Sequence, residues 1–166
     1  VQMISSTASL LVLGWHEAIA LPQFGIESVF TKLDTGSDHS VLHARDVVRL
    51  DDERVEFALP LLLKQRSCLH FSEGGPRRMV ARLYDERIVK SSNGKEEIRY
   101  VINATVQVAG HTFTIPFSLT DRNGMRFAAL LGRSALAGRF LVNSETTHVA
   151  TPHLACEDGN HSSIPL

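Results

Sequence analysis

Residues 31–42 read TKLDTGSDHSVL, and the prediction of the fold rests mainly on these residues. Apolar and polar positions alternate up to Leu33, and the predicted strand stops at the carboxylate of Asp34. The chain turns at Gly36 and resumes as a second strand. A threonine can hydrogen-bond to neighbouring backbone and a glycine lets backbone come close, so Asp-Thr-Gly at a strand end holds its carboxylate in place. The alternative interpretation is a plain Asp-Gly-type turn between two strands.

The composition is that of an ordinary globular domain. Of the 166 residues, 43% are hydrophobic and 21% are charged, which suits one domain core and is short for two. A formal net charge of −1 gives no support for binding nucleic acid or a membrane surface. The longest apolar run, Ala8–Gly14, is too short to span a bilayer. We therefore expect neither partner, and the compartment, cytoplasm or periplasm, is left open because no signal peptide is visible at Val1.

The cysteines and histidines form no metal-binding pattern. Cys68 and Cys156 are the two cysteines, and the sequence leaves open whether they are paired or free. His39 and His43 lie four apart in a predicted strand, which separates them by about 13 Å along one face, so we do not expect them to share a zinc ion. The sequence contains neither His-Glu-x-x-His nor a P-loop, and we expect no metal and no cofactor.

Alternating runs between turn residues predict strands along most of the chain. The clearest pair is Ile98–Val108 and Phe113–Leu119, joined by a turn at Ala109-Gly110. An Asn-Gly pair suits both positive-φ positions of a type I′ turn, so residues 91–94 predict a hairpin.

The late part of the chain predicts a buried strand and a short helix. Phe127–Leu131 is a continuous apolar run, which is typical of a strand buried on both faces. Gly132-Arg133-Ser134 ends that run, Ala135–Gly138 predicts one helical turn, and Thr147–Val149 predicts one of the last strands.

These elements predict one compact, all-β, barrel-like domain with one short helix. We expect the domain to cover residues 10–150, after an N-terminal extension at residues 1–9. Residues 151–166 lack periodicity and predict a loosely ordered C-terminal tail.

Two motifs, in this order, resemble those of the retropepsins, the single-domain aspartic proteases. The first is LDTGSD at residues 33–38, the second is LLGRSAL at residues 130–136, and the hairpin signal lies between them. In that family an apolar-Asp-Thr-Gly-Ala/Ser-Asp loop is followed, after a flap hairpin, by an apolar-apolar-Gly-Arg-Asn motif that leads into a short helix. The resemblance implies a closed barrel of the acid-protease fold, with a single lobe.

A closer resemblance covers residues 12–143. KLDTG at 32–36, SVLH at 40–43, LLGR at 130–133 and GRFLV at 138–142 are similar to the bacterial retropepsin-like family often labelled "ATP-dependent zinc protease". The zinc and ATP of that label have no counterpart in this sequence. Some members are encoded beside a ligase that adds glutamates to a ribosomal protein, which implies a peptide or protein substrate with an acidic or glutamylated tail.

The resemblance also implies roles for individual residues. The implied catalytic residues are Asp34, Thr35 and Gly36, and those that support the site are Asp38, Gly132 and Arg133. In the viral enzymes the second Asp of the first motif pairs with the Arg of the second, so we expect an ion pair between Asp38 and Arg133. An acidic Asp38 departs from the bacterial family, which usually has a basic residue there.

One Asp-Thr-Gly per chain is half of an aspartic protease site. Aspartic proteolysis needs two carboxylates about 3 Å apart that share a proton and act on a bound water. A second Asp-Thr/Ser-Gly is missing from the sequence, so the resemblance implies a C2 homodimer with Asp34 of each chain at the axis.

Two loops are candidates for the flap of such an enzyme. The preferred flap residues are Ser91, Ser92, Asn93 and Gly94, and the competing candidate is Gly74-Gly75. Basic residues close to these loops are candidates for selecting an acidic substrate: Arg77, Arg78, Arg87 and Lys90.

Three functions therefore remain open at this point. The first is an aspartic endopeptidase active as a homodimer. The second is a catalytically silent barrel that binds a peptide or polyglutamate. The third is a metallopeptidase, as the family label suggests.

Overall fold

The computed structural model describes residues 10–59, 62–63, 67–71, 77–90 and 93–152, with the backbone alone for 62–63, 67–71 and 77. The predicted extension and all but two residues of the predicted tail lie outside this description. The strands are β1 Leu11–Gly14, β2 His16–Leu21, β3 Ile26–Asp34, β4 Ser40–His43, β5 Arg45–Arg49, β6 Arg54–Leu59, β7 Leu62–Leu63, β8 Ser67–Phe71, β9 Arg77–Lys90, β10 Glu96–Val108, β11 His111–Thr120, β12 Ala129–Gly132 and β13 Phe140–Asn143. A 3-10 turn covers Pro22–Phe24, and a short helix, α1, covers Arg133–Leu136.

Six of these strands close into a ring. β2 pairs with β3, β3 with β12, β12 with β4, β4 with β11, β11 with β10, and β10 returns to β2 through the Gln107–Ala20 pair. Fully buried side chains fill the interior, among them Val29, Ile102 and Phe117. The alternation that predicted strands also turns every second side chain inward, which is what a small barrel requires. The predicted all-β, retropepsin-like barrel with a short helix is confirmed.

The β9–β10 hairpin projects beyond the ring. β10 pairs with β11 only from Val101 onward, whereas its first residues pair with β9 alone. Ile88 and Ile98 are directly opposite each other on the two arms and remain 70% and 57% exposed. The alternation at Ile98–Val108 therefore turns one face into the core from Ile102 to Val108, whereas Ile98 lies on the same face beyond the end of the core.

The tip of this hairpin is longer than the sequence predicted. Lys90 pairs with Glu96, so residues 91–95 connect the strands, which is more than the two residues of a type I′ turn. Gly94 has a positive φ of 82°, and Asn93 does not share that conformation. Ser91 and Ser92 lie outside the described residues.

A buried carboxylate fastens the segment after β13 to the barrel. Glu17 on β2 is fully buried, and its Oε1 accepts hydrogen bonds from the backbone N–H of Gly14 (2.8 Å) and Val149 (2.9 Å). Its Oε2 accepts the N–H of Ala150 at 3.2 Å. The predicted strand at Thr147–Val149 is wrong: the N–H of His148 donates once to the carbonyl of His16 on β2, at 3.0 Å, and the next N–H, that of Val149, goes to the Glu17 side chain, so no strand ladder forms.

A small two-stranded sheet lies beside the end of β3. β1 and β13 run parallel, and Leu11, Val12 and Leu141 on them are 43%, 45% and 54% exposed. The N–H of Leu33 donates to the carbonyl of Trp15, the residue that follows β1, at 2.8 Å. A backbone hydrogen bond therefore connects the residue before Asp34 to the residue that follows this exposed apolar sheet.

The remaining strands extend the barrel at its margins. β9 continues into β6 and β5, and β8 and β7 attach along the first half of β3. Cys68 lies in β8, whereas Cys156 and the Gly74-Gly75 loop lie outside the described residues, so the pairing of the cysteines and that flap candidate are not tested. Among the described residues, no helix is long and apolar enough to cross a membrane.

Candidate active site

The strand register brings the two sequence motifs side by side. β12 runs parallel to β3, with Leu131 opposite Leu33 and Gly132 opposite Asp34. These motifs are almost a hundred residues apart in sequence, yet both end at the same edge of the barrel. The alternation of β3 explains the register, since a shift of one residue would turn Leu33 out of the core and Lys32 into it.

Both carboxylate oxygens of Asp34 are held. Oδ1 accepts the backbone N–H of Gly36 at 2.9 Å, and Oδ2 lies 3.1 Å from the ammonium of Lys32. The Lys32 ammonium lowers the pKa of Asp34 below its usual value; partial burial opposes this, and the Gly36 N–H lowers it further. Because its side chain remains 25% exposed, Asp34 is an oriented, ionised carboxylate that is open to solvent on one side.

The loop after Asp34 is fastened to helix α1. The N–H of Arg133 donates to the carbonyl of Ser37 (2.7 Å), and its Nη1 donates to the carbonyl of Thr35 (3.1 Å). The Arg133 guanidinium also forms an ion pair with Asp38, as the sequence predicted. Both side chains are more than half exposed, so the pair contributes little stability by itself, and its effect is to fix the loop geometry.

Gly132 permits the close approach of the two motifs. Its N–H donates to Ser40 Oγ at 3.1 Å, and a Cβ at this position would lie 2.6–2.8 Å from backbone atoms of His39. Backbone atoms cannot move aside as the end of a flexible side chain can. Glycine is therefore required at this position because a side chain would not fit. Its φ of −87° is open to other residues, so the backbone conformation does not require glycine here.

Replacing Gly132 with alanine is expected to destabilise the fold by about 2–3 kcal/mol, because the added methyl group overpacks against backbone. The collision is next to Asp34, so the carboxylate is expected to lose its geometry as well. Chemical unfolding measures the first effect. Gly110→Ala is the matched control: its φ is +76° but its Cβ would meet nothing within 4 Å, so it should cost about 1 kcal/mol. Equal losses for the two variants would contradict the packing explanation.

Sequence reasoning missed the basic side chains around Asp34. Lys32 is two residues before Asp34 on the same strand face, a spacing that could have indicated it. Arg122, in the loop after β11, is half-buried and donates through Nε to the carbonyl of Phe127 at 2.9 Å. Burial lowers the pKa of Arg122, the charge of Arg99 lowers it further, and the charge of Asp34 raises it. Arg122 therefore lies within the electrostatic reach of both Asp34 and the base of the β9–β10 hairpin.

The basic residues that the sequence suggested for selecting an acidic substrate all lie on β9. Arg78 pairs with Glu56 on the neighbouring strand at 2.7 Å, and Arg87 pairs with Asp85 at 3.4 Å. Lys90 is exposed at the end of β9, and the side chain of Arg77 is outside the description. In the part of the chain that the structure describes, no group of three or more His, Cys, Asp or Glu side chains could hold a metal ion.

A closed six-stranded barrel with Asp-Thr-Gly at one strand end, beside Gly-Arg at the next, defines an aspartic-protease-like fold. The model of the retropepsin-like aspartic endopeptidase RimB family matches residues 12–153, so the chain belongs to that family. The predicted resemblance is confirmed.

Curated relatives contain this domain within longer chains. A probable alpha-L-glutamate ligase of Shewanella halifaxensis is 32% identical over 135 residues, which are 80% of this chain and 28% of the relative. A protein of the same name from Desulfotalea psychrophila is 29% identical over 159 residues, 93% of this chain and 31% of the relative. The chain thus spans less than a third of these relatives. A solved structure from Legionella pneumophila, of unknown function, shares the fold: the TM-score is 0.67 at 21% identity, over 86% of this chain and 99% of that one.

Proposed function

We propose that this chain is an aspartic endopeptidase that acts as a C2 homodimer, with one Asp34 from each protomer. The observation that carries the proposal is the fixed position of the Asp34 carboxylate. Asp34 lies at the end of β3, opposite Gly132, and its Oδ1 accepts a hydrogen bond from the Gly36 N–H, while one side of the carboxylate remains open to solvent. A single such carboxylate cannot be both acid and base toward one water. Two of them, related by a twofold axis, can.

In the proposed mechanism the two Asp34 carboxylates lie about 3 Å apart and share one proton, because like charges at that distance do not both stay ionised. The ionised member takes a proton from the bound water, which attacks the scissile carbonyl. The protonated member donates to the carbonyl oxygen as the gem-diol forms. The pair then titrates as a unit, with two apparent pKa values that belong to neither residue alone.

The surface around Asp34 supports association of two chains there. Thr35 and Gly36 are exposed beside the carboxylate, where Thr35 would brace the partner's loop. The apolar β1–β13 sheet is connected to the end of β3 through the hydrogen bond between Leu33 and Trp15, and its Leu141 is 54% exposed. Burying exposed apolar surface at an isologous contact favours dimer formation, and this position would bring the two Asp34 loops together.

Leu141→Glu is expected to shift the chain to monomers and to lower its activity at dilute protein concentration, because a charge replaces an apolar contact in the proposed interface. Analytical ultracentrifugation measures the mass, and hydrolysis of a peptide measures the activity. The control is Val80→Glu on β9, where the side chain is equally exposed at 54%. A wild-type chain that stays monomeric at every concentration would contradict the dimer and favour the silent binding module.

The flap would be the tip of the β9–β10 hairpin, with Ser91, Ser92, Asn93 and Gly94 at its end. The exposed Ile88–Ile98 pair supports this, since it gives the arms an apolar face on the core side of β10. A hairpin that closes over a substrate excludes water from the reacting bond.

The substrate class we propose is an acidic peptide, such as one that carries glutamate residues. The guanidinium of Arg122, which interacts electrostatically with Asp34, supports it, and so does the glutamate chemistry in the names of the relatives. The test is hydrolysis of a glutamate-rich peptide and of the matched glutamine peptide by the full chain. Cleavage that prefers the glutamate peptide is the expected result, and no cleavage of either would contradict the proposed function.

A catalytically silent module that binds acidic peptides is the second candidate. The Lys32 ammonium on Asp34 Oδ2 favours it, since it satisfies the carboxylate within one chain. Binding of the glutamate-rich peptide without hydrolysis, by a monomer, would select this candidate.

A further inference from the structure

Lys32 has a contact that the proposed chemistry does not use. Its ammonium lies 3.1 Å from Oδ2 of Asp34, the oxygen that the Gly36 N–H leaves available. The side chain of Lys32 is 42% exposed and that of Asp34 is 25% exposed, so the pair lies at the surface of the site and is only partly solvated. This oxygen atom, which forms the ion pair, is also the one that the second carboxylate of the proposed dyad or the attacking water would contact.

The backbone fixes this contact. Lys32 and Asp34 are two residues apart on β3 and therefore point to the same side of the strand. Lys32 is paired on both sides, with His16 on β2 and Leu130 on β12, so its Cα is held in the middle of the sheet. The Lys32 side chain therefore reaches the carboxylate from a backbone position that the sheet holds in place, and the contact does not depend on the conformation of a loop.

Other charges around Asp34 come from β2, the Asp34 loop, α1 and the loop after β11: His16, Asp38, His39, Arg133 and Arg122. Asp38 and Arg133 pair with each other. Arg122 acts on Asp34 at longer range and bonds to Phe127. His16 lies opposite Lys32 in the strand register, and His39 is exposed in the loop. The residues of β12 that pair with β3 carry no charge. Among these groups, Lys32 is the one with an ion pair to the Asp34 carboxylate.

We propose that Lys32 is a positioning residue of the aspartic dyad, which orients Asp34 and moves the pH range in which the two carboxylates share one proton toward acid. The inference rests on the proposed function, because a shared proton requires two chains. It adds to that function a residue that touches neither the water nor the peptide.

The direction follows from the charges. The singly protonated dyad exists between its two apparent pKa values. A positive charge beside each carboxylate favours the ionised form and offsets part of the repulsion between them, so both apparent pKa values fall. The alkaline limb of the pH profile, where activity is lost, therefore lies at a lower pH than it would for the same dyad without Lys32. Removing the ammonium should move both limbs of the pH profile upward.

The experiment compares the wild type with Lys32→Met and Lys32→Arg. Lys32→Met is expected to shift both limbs of the kcat/KM profile upward by about 1 pH unit, and Lys32→Arg, which keeps the charge, to leave them close to the wild type. The substrate is an uncharged peptide, so that a loss of electrostatic attraction for acidic substrate groups does not affect the measured pH profile. Arg54→Met at the start of β6 is the control for removing a surface charge elsewhere.

A second readout does not depend on activity. The side-chain carboxyl of Asp34, followed by carbon NMR, should titrate at higher pH in Lys32→Met than in the wild type. Unchanged titration in Lys32→Met would overturn the inference, even if activity fell. If Lys32→Met does not fold, Lys32→Gln provides the same comparison with a polar end group. Failure of the proposed function is recognised separately: Asp34→Asn would then leave any hydrolysis intact.

Discussion

Asp34→Asn is expected to lower peptide hydrolysis by at least about a thousand-fold, because an amide can serve neither as the base toward water nor as the shared acid. The substitution is isosteric, and the Gly36 N–H still has an oxygen to donate to, so the fold should remain stable. Steady-state hydrolysis of a peptide by the purified full chain measures the effect. Retained activity would contradict the assignment of Asp34.

Two controls separate a shared site from a site within one chain. Asp51→Asn, the same change in the exposed β5–β6 turn, should leave hydrolysis unchanged. When Asp34→Asn chains are mixed in equal amount with wild-type chains and allowed to re-pair, the activity per wild-type chain should fall to about half, since random pairing places half of them in mixed dimers. Activity that does not change on mixing would contradict a site built from two protomers.

Glu17→Ala is expected to lower the free energy of unfolding by about 2–4 kcal/mol, because three backbone N–H groups lose their acceptor: the buried donor of Gly14 costs about 1–3 kcal/mol, and the partly buried donors of Val149 and Ala150 can turn to water and cost less. These donors belong to Gly14, Val149 and Ala150, so the segment after β13 should detach from the barrel. Denaturant unfolding measures the loss, and amide hydrogen exchange at Val149 and Ala150 shows where it occurs.

Glu27→Ala is the matched control, since Glu27 lies on the neighbouring strand β3 with its side chain exposed. It should change the stability by less than about 0.5 kcal/mol. If Glu17→Ala were equally mild, the three hydrogen bonds would contribute nothing, and the segment would be held by the hydrogen bond from the His148 N–H to the His16 carbonyl and by packing of His148 against Phe30.

The barrel and the pairing of the two motifs could be predicted because local patterns specify both. Alternation defines each strand, and Asp-Thr-Gly and Gly-Arg each mark where an apolar strand stops. The ion pair between Asp38 and Arg133 followed from the resemblance and from complementary charge. The β9–β10 hairpin was predicted at the correct place, but its five-residue tip was not, since Asn-Gly alone does not set the length of a loop.

What could not be predicted depends on contacts between distant residues. Glu17 is a charged residue in an apolar run, and the sequence does not show that it would bond to Val149, more than a hundred residues later. The same contact explains why Thr147–Val149 is not a strand. Arg122 lies in a polar turn and resembles a solvated charge, and its electrostatic interaction with Asp34 arises only when the barrel closes.

The closed ring also determines where this chain can add another strand. Strands inside a ring have both edges hydrogen-bonded, so they offer no template for a further backbone. Within the described residues, β1 and β13 each keep one open edge, and the residue after β1 bonds to Leu33. A second chain that paired along either edge would be guided by main-chain hydrogen bonds. The distance between the two Asp34 side chains would then depend on the register in which two four-residue strands pair. A shift of one residue in that register would change the distance by about 3 Å.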